Sequence, residues 1–187
     1  MSKATEQKAA VTAKDLSADT GMIPKDTVMA NAVQLTRNGL LLHNNKKFSG
    51  YVAGLYHGGK IKQVSSVYEG MLHGISRSYF ENGALHEVRQ YKENQSTGRH
   101  YGYWPNGNMQ FDYLYFRDQK IGDMKRWYDN GKPYLFLHYK DDKEEGLQQG
   151  WRDNGKLFIN YVVKDGHRYG LQESMLCYKL NEGNIIK

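Results

Sequence analysis

Cysteine is almost absent from this chain of 187 residues: Cys177 stands alone, which excludes an internal disulfide and any cysteine-based metal cluster. Proline occurs three times and tryptophan three times, as Trp104, Trp127 and Trp151. No run approaches the roughly eighteen apolar residues needed to cross a bilayer as a helix, and Met1 is not followed by the apolar core of a signal peptide. Aromatic residues are missing altogether from residues 1–35, a stretch rich in Ala, Thr, Lys and Asp in which basic and acidic residues balance. Such a composition predicts a flexible N-terminal tether over 1–35, with Ala9 to Leu16 able to form a helix on propensity but too poor in apolar residues to dock firmly. The formal charge of +6 therefore belongs to the remainder, a balance that serves solubility and biases encounters toward acidic partners.

What the chain has in abundance is glycine, twenty residues, and tyrosine, fifteen, all of them between Tyr51 and Tyr178. The glycines keep time. Asn-Gly recurs every 24 residues at Asn82-Gly83, Asn106-Gly107, Asn130-Gly131 and Asn154-Gly155, with Gly58-Gly59 one period upstream. A second register runs through Gly50, Gly74, Gly98, Gly122, Gly146 and Gly170. Two interlocked registers mark a tandem array, an architecture suited to binding surfaces and scaffolds. The array is read as residues 36–187: an opening strand over 36–49, five repeats over 50–169 and a C-terminal cap over 170–187.

Counting offsets from the first glycine of each repeat places Asn-Gly at offsets eight and nine. Asn-Gly between two alternating runs predicts a two-residue type I′ turn, so each repeat is expected to be a β-hairpin. Cross-strand partners then have offsets summing to seventeen, which divides the side chains between two faces. On the first face, offset six (Tyr56, Phe80, Trp104, Tyr128, Arg152) is expected to pack on offset eleven (Ile61, Leu85, Met109, Pro133, Leu157). Offset thirteen (Gln63, Glu87, Phe111, Leu135, Ile159) lies across offset four, where Gly54, Ser78, Gly102 and Gly150 are small. Offset twenty, with Gly70, Asn94, Asp118, Asp142 and Gly166, reads as a second tight turn. The expected fold is all-β: an elongated antiparallel meander of hairpins forming a single-layer sheet. Its second face carries Tyr79, Tyr103, Trp127 and Trp151 beside Arg77 and Lys125, and those six residues are the candidate partner-binding set, aromatics and Arg being the usual interface anchors.

The pattern G-x4-[YW]-[FWY]-x-N-G-x-[LMP], seen in GISRSYFENGAL, GRHYGYWPNGNM and GDMKRWYDNGKP, resembles the MORN-repeat variant of bacteria, often labelled the YwqK-type antitoxin family. The segment NGLLLHNNKKFSG is similar to that family's usual opening, and the likeness covers about residues 36 to 180. The resemblance implies an all-β repeat fold without catalytic residues, and a protein-protein scaffold or accessory subunit of a bacterial cell-envelope assembly. The alternative is an antitoxin or immunity protein that binds and neutralises a partner toxin. Periplasmic or outer-membrane-associated residence, as in lipid-anchored members, is expected if a signal was removed upstream; the alternative is the cytoplasm.

The residues themselves point to no catalysis, cofactor or metal. His43, His57, His73, His86, His100, His138 and His167 share no fixed offset with a carboxylate or cysteine. Asp141, Asp142, Glu144 and Glu145 fall in or beside a turn, and an open sheet offers little pocket to tune an acid pair. Ser65, Ser66, Ser76 and Ser78 have no nucleophile context, and no glycine-rich phosphate loop precedes a helix. Aromatics interleaved with Arg and Lys also describe single-strand nucleic-acid platforms, but here the rings follow the repeat's own period, which makes nucleic acid the weaker reading. Peripheral contact with an anionic membrane is a minority reading of the same kind, because the basic residues are spread rather than gathered. The expected partner is another protein.

Overall fold

The computed structural model describes residues 16–17, 20–171, 180–181 and 184–185. The helix considered for Ala9 to Leu16 lies, apart from Leu16, outside the described residues, as does most of the C-terminal cap. The chain forms two compact units, residues 1–100 with 115–119 and residues 101–114 with 120–187. Strands dominate both, and one short 3-10 turn at Ala30–Ala32 is the helical element among the described residues. In the first unit Gly50–Leu55, Ile61–Tyr68, Met71–Tyr79 and Leu85–Lys92 pair antiparallel in succession. In the second, Gly122–Trp127, Pro133–Lys140, Gly146–Trp151, Leu157–Lys164 and His167–Leu171 do the same. The expected meander of repeat hairpins is the fold.

The type I′ conformation expected at Asn-Gly is found instead at the second turn. At Asn-Gly only the glycine has positive φ, +81° at Gly131 for example, and none of Asn82, Asn106, Asn130 or Asn154 does. The Gly131 N–H donates to the Tyr128 carbonyl and the Tyr128 N–H to the Lys132 carbonyl, which defines a three-residue loop: a type I turn followed by a left-handed glycine. Asparagine is used for a different property, since Oδ1 of Asn130 accepts the Lys132 N–H at 3.0 Å, and Asn82, Asn106 and Asn154 repeat the bond. The type I′ turns lie at the other end of each repeat, where both residues of Glu93-Asn94, Arg117-Asp118 and Asp141-Asp142 have positive φ. Here the second residue also stitches: Asp142 donates its N–H to the Lys120 carbonyl and accepts the Lys120 N–H on Oδ1. Asn94 does the same with Leu72, and Asp118 with Ser96.

The extra loop residue moves the register at the tip. Offsets sum to seventeen from Gly122↔Tyr139 to Arg126↔Leu135, but a bulge then pairs Trp127 with Pro133. Offset twelve is thereby turned onto the first face, and it takes the place expected for offset eleven: Tyr128 packs on Tyr134 at 4.9 Å and Phe80 on His86 at 4.4 Å. The offset-six rings also tie successive repeats, because the Tyr56 and Tyr128 hydroxyls and the Trp104 indole N–H donate to the carbonyls of Tyr79, Trp151 and Trp127. Arg152, which replaces a ring, lies over Phe158 at 5.4 Å instead. The small-against-large expectation holds at Gly150, where an added Cβ would lie 2.9 Å from Leu135 and 3.1 Å from Phe158.

A further Asn-Gly pair, Asn38-Gly39, forms the same loop between Val33–Leu35 and Leu41–His43, with Gly39 at φ +79°. It was obscured because Gly39 precedes Gly59 by less than a full period. The stretch expected to be a tether also carries structure beyond its first half: Thr27–Met29 runs parallel to Gly50–Leu55, and Ile23 is buried, 7% exposed. Main-chain pairing and one aliphatic anchor accomplish this without any aromatic residue.

Candidate protein-binding face

Among the described residues of the second unit the buried side chains are Met124, Gln148, Tyr161 and Val163, all on the first face. Gln148 is fully buried because a bulge leaves backbone groups there to satisfy: its amide nitrogen donates to the His138 and Glu145 carbonyls, each at 2.9 Å, and its oxygen accepts the His138 N–H. Tyr161 donates to Glu144 at 3.0 Å, and burial with that carboxylate beside it pushes the phenol up to about 12. The first face is cohesive.

The second face of this unit is open. Lys125, Trp127 and Trp151 converge on Phe136, which meets the two indoles edge-on at 5.5 and 5.2 Å and lies 5.7 Å beneath the Lys125 ammonium. Edge-to-face pairs of this kind add about 0.5–1.5 kcal/mol each beyond the area they bury, so the ladder is a fixed platform. Beside it Asp123 accepts from His138 at 2.9 Å and from Lys125 at 3.1 Å, and these donors, His138 first, hold its carboxyl below the usual range. Next to this polar corner, Leu147 pairs with Val162 and Val162 with Tyr169. These three form an apolar row across three strands and are 50%, 42% and 60% exposed. Asp123, Lys125, Phe136, His138, Leu147 and Gln149 enclose a shallow depression of about 310 Å³.

Of the six residues singled out in the sequence, Lys125, Trp127 and Trp151 are thus brought together. Tyr103, in the same unit, meets Tyr101 edge-on at 6.0 Å. Arg77 and Tyr79 belong to the first unit, where Arg77 is exposed between Val64 and Val88 and the Tyr79 carbonyl serves the Tyr56 hydroxyl. The sequence reading missed Phe136, His138, Leu147 and Val162. The signal was there in the columns at offsets one, fourteen and sixteen, which were not followed beyond offsets three and five.

The first unit treats its second face differently. The Leu16 carbonyl accepts from Gln90 at 2.9 Å, and Thr20 and Ile23 approach Gly74 so closely that an added Cβ would lie 2.8 and 3.3 Å from them. At Gly146 in the second unit nothing among the described residues lies within 4 Å of that position. On its first face the first unit buries His100, whose Nε2 bonds the Gln90 carbonyl at 2.7 Å; it occupies the same offset as Gln148 and serves the same bulge.

The family model described as MORN repeat variant matches residues 72–93 and 120–141, each match beginning two residues before a register glycine, Gly74 or Gly122. Repeats of this kind are associated with binding to proteins or membranes. No curated protein and no solved structure matches the chain.

Proposed function

We propose that this chain, a protein of MORN repeat variants, is a non-catalytic scaffold or accessory subunit that captures a partner protein on the second face of its second unit. The observation that carries this reading is the exposed row Leu147, Val162 and Tyr169 adjoining the Phe136 platform. An apolar centre, aromatic anchors and a rim of Lys125, Asp123 and His138 is the composition of a protein interface. Membership of a bacterial envelope assembly is the setting we favour; an antitoxin would use the same kind of surface for inhibition.

The test is affinity capture from the native host with mass spectrometry, comparing the parent chain with the double variant Leu147→Glu, Val162→Lys. Both side chains are exposed, so folding should be unchanged while the captured protein is lost. Unaltered capture by the folded variant overturns the assignment of this face.

A further inference from the structure

Five Asn-Gly pairs, at Asn38, Asn82, Asn106, Asn130 and Asn154, sit in exposed turns. An asparagine followed by glycine is open to an intramolecular substitution, because glycine brings no side chain to obstruct it. The deprotonated glycine nitrogen forms a bond to the asparagine Cγ, the Cγ–Nδ2 bond breaks, and Nδ2 takes a proton and leaves as ammonia. The resulting succinimide ring is then opened by water at either carbonyl, giving aspartate or isoaspartate. Water is the sole co-reactant, and no atom changes oxidation state.

The fold imposes two conditions on this reaction. The glycine N–H must first leave its acceptor, and that requirement is common to all five turns: Gly39, Gly83, Gly107, Gly131 and Gly155 donate to the carbonyl three residues earlier at 2.8 to 3.0 Å. The asparagine amide must also rotate to present Cγ and release Nδ2, and here the turns differ. Nδ2 of Asn106 donates to the Asp129 carbonyl at 2.6 Å, and Nδ2 of Asn130 donates to an Asp153 carboxylate oxygen. Asn82 and Asn154 are held through Oδ1 alone, and Asn38 through the Thr36 hydroxyl on Oδ1; among the described residues their amide nitrogens meet no acceptor.

We propose that Asn38, Asn82 and Asn154 are sites of spontaneous conversion to aspartate and isoaspartate in the folded protein, and that Asn106 and Asn130 are shielded by the hydrogen bonds of their amide nitrogens. The shielding falls where conversion would do most harm. A carboxylate at position 130 would face that of Asp153 and repel it, and one at position 106 would put negative charge against the Asp129 carbonyl and leave Asn108 as that carbonyl's amide donor.

Incubating the full chain in heavy-oxygen water at mildly alkaline pH, followed by peptide mass spectrometry, reads label uptake at each turn. A parallel sample in urea supplies the unfolded rates, which should be similar at all five sites. In the folded chain Asn38, Asn82 and Asn154 should convert several-fold faster than Asn106 and Asn130. Asp153→Ala should raise Asn130 to the rate of Asn154 and leave Asn106 slow, whereas Asp153→Asn, which keeps an oxygen acceptor, should retain the shielding. Circular dichroism establishes that both variants fold. Equal or reversed rates in the folded chain, or an Asn130 rate that Asp153→Ala leaves unchanged, overturns the proposal.

Discussion

In the first unit Ser66 and Gln90 lie beside Leu16, Thr20 and Ile23, with Ile23 buried against the register glycine Gly74. In the second unit the corresponding strands carry Leu147, Val162 and Tyr169, half exposed, and Gly146 stands clear of any neighbour. The repeat geometry is shared, down to the bulge and the positive φ of both glycines. What differs is the cover. Where the chain supplies its own, small and amide side chains suffice and Ala53, Ser66 and Val88 of the second face are buried. Where it does not, the same face is armed with Phe136, two indoles and a lysine. The variation between repeats therefore tracks what each unit has to meet.

The strongest way to break this contrast is to add a methyl group at matching glycines. Gly74→Ala combines backbone strain at φ +91° with a clash against Thr20 and should cost about 3 kcal/mol. Gly146→Ala at φ +70° meets open space and should cost about 1 kcal/mol, the strain alone. Urea unfolding of the two variants measures the difference; equal losses would mean that Thr20 and Ile23 contribute nothing to the first unit.

The cohesive face should be sensitive in the second unit regardless of cover. Gln148→Ala removes the acceptor of the His138 N–H and a donor to the Glu145 carbonyl, while the His138 carbonyl keeps the Glu145 N–H; the change should cost about 2 kcal/mol, read by the same unfolding assay. A loss near zero would show that the first face does not hold the second unit together.

Acidification separates the units by pH range. Burial, the leading cause, holds the His100 imidazole below its ordinary value, so the fold favours its neutral form. Its contribution is complete above about pH 6.5 and is lost as pH falls through the lowered value. Asp123 is also lowered, by His138 and Lys125, so its smaller and solvent-screened contribution persists until pH falls below about 4. Hydrogen exchange between pH 7 and 5 should show protection declining around His100 before it does around Asp123, and His100→Phe should abolish the early decline.

Much of this architecture could be read from the glycines. Their period gave the hairpins, and the small residue at Gly150 pointed to a large aliphatic neighbour, met by Leu135. The turn conformation was misjudged because Asn-Gly satisfies two loops: a two-residue loop uses asparagine for its tolerance of positive φ, a three-residue loop for its side-chain acceptor. That single extra residue rotated offset twelve onto the first face, which explains why Tyr134 and Phe158 pack where offset eleven was expected. The cover by Leu16, Thr20 and Ile23 was illegible for a different reason. Its anchors are Leu16, Thr20 and Ile23, too few to alter composition, and its main contacts are with backbone and with glycines already explained by their turns.

The smallest effect on stability is expected where the largest effect on function is proposed. Leu147 and Val162 keep about half of their surface in solvent, and substitutions at surface positions usually change stability by no more than about 0.5 kcal/mol. Leu147→Glu with Val162→Lys should therefore unfold with the parent in urea while losing its partner, because an interface core charged on both strands must be desolvated at each contact. The matched change in the first unit, Ser66→Ala with Gln90→Ala, should do the reverse: it removes the amide that holds the Leu16 carbonyl, loosens the first unit's own cover and leaves capture intact. If both pairs of substitutions reduce capture alike, the distinction between a covered and a presenting face is lost, and binding would have to be sought along the turns that the two units share.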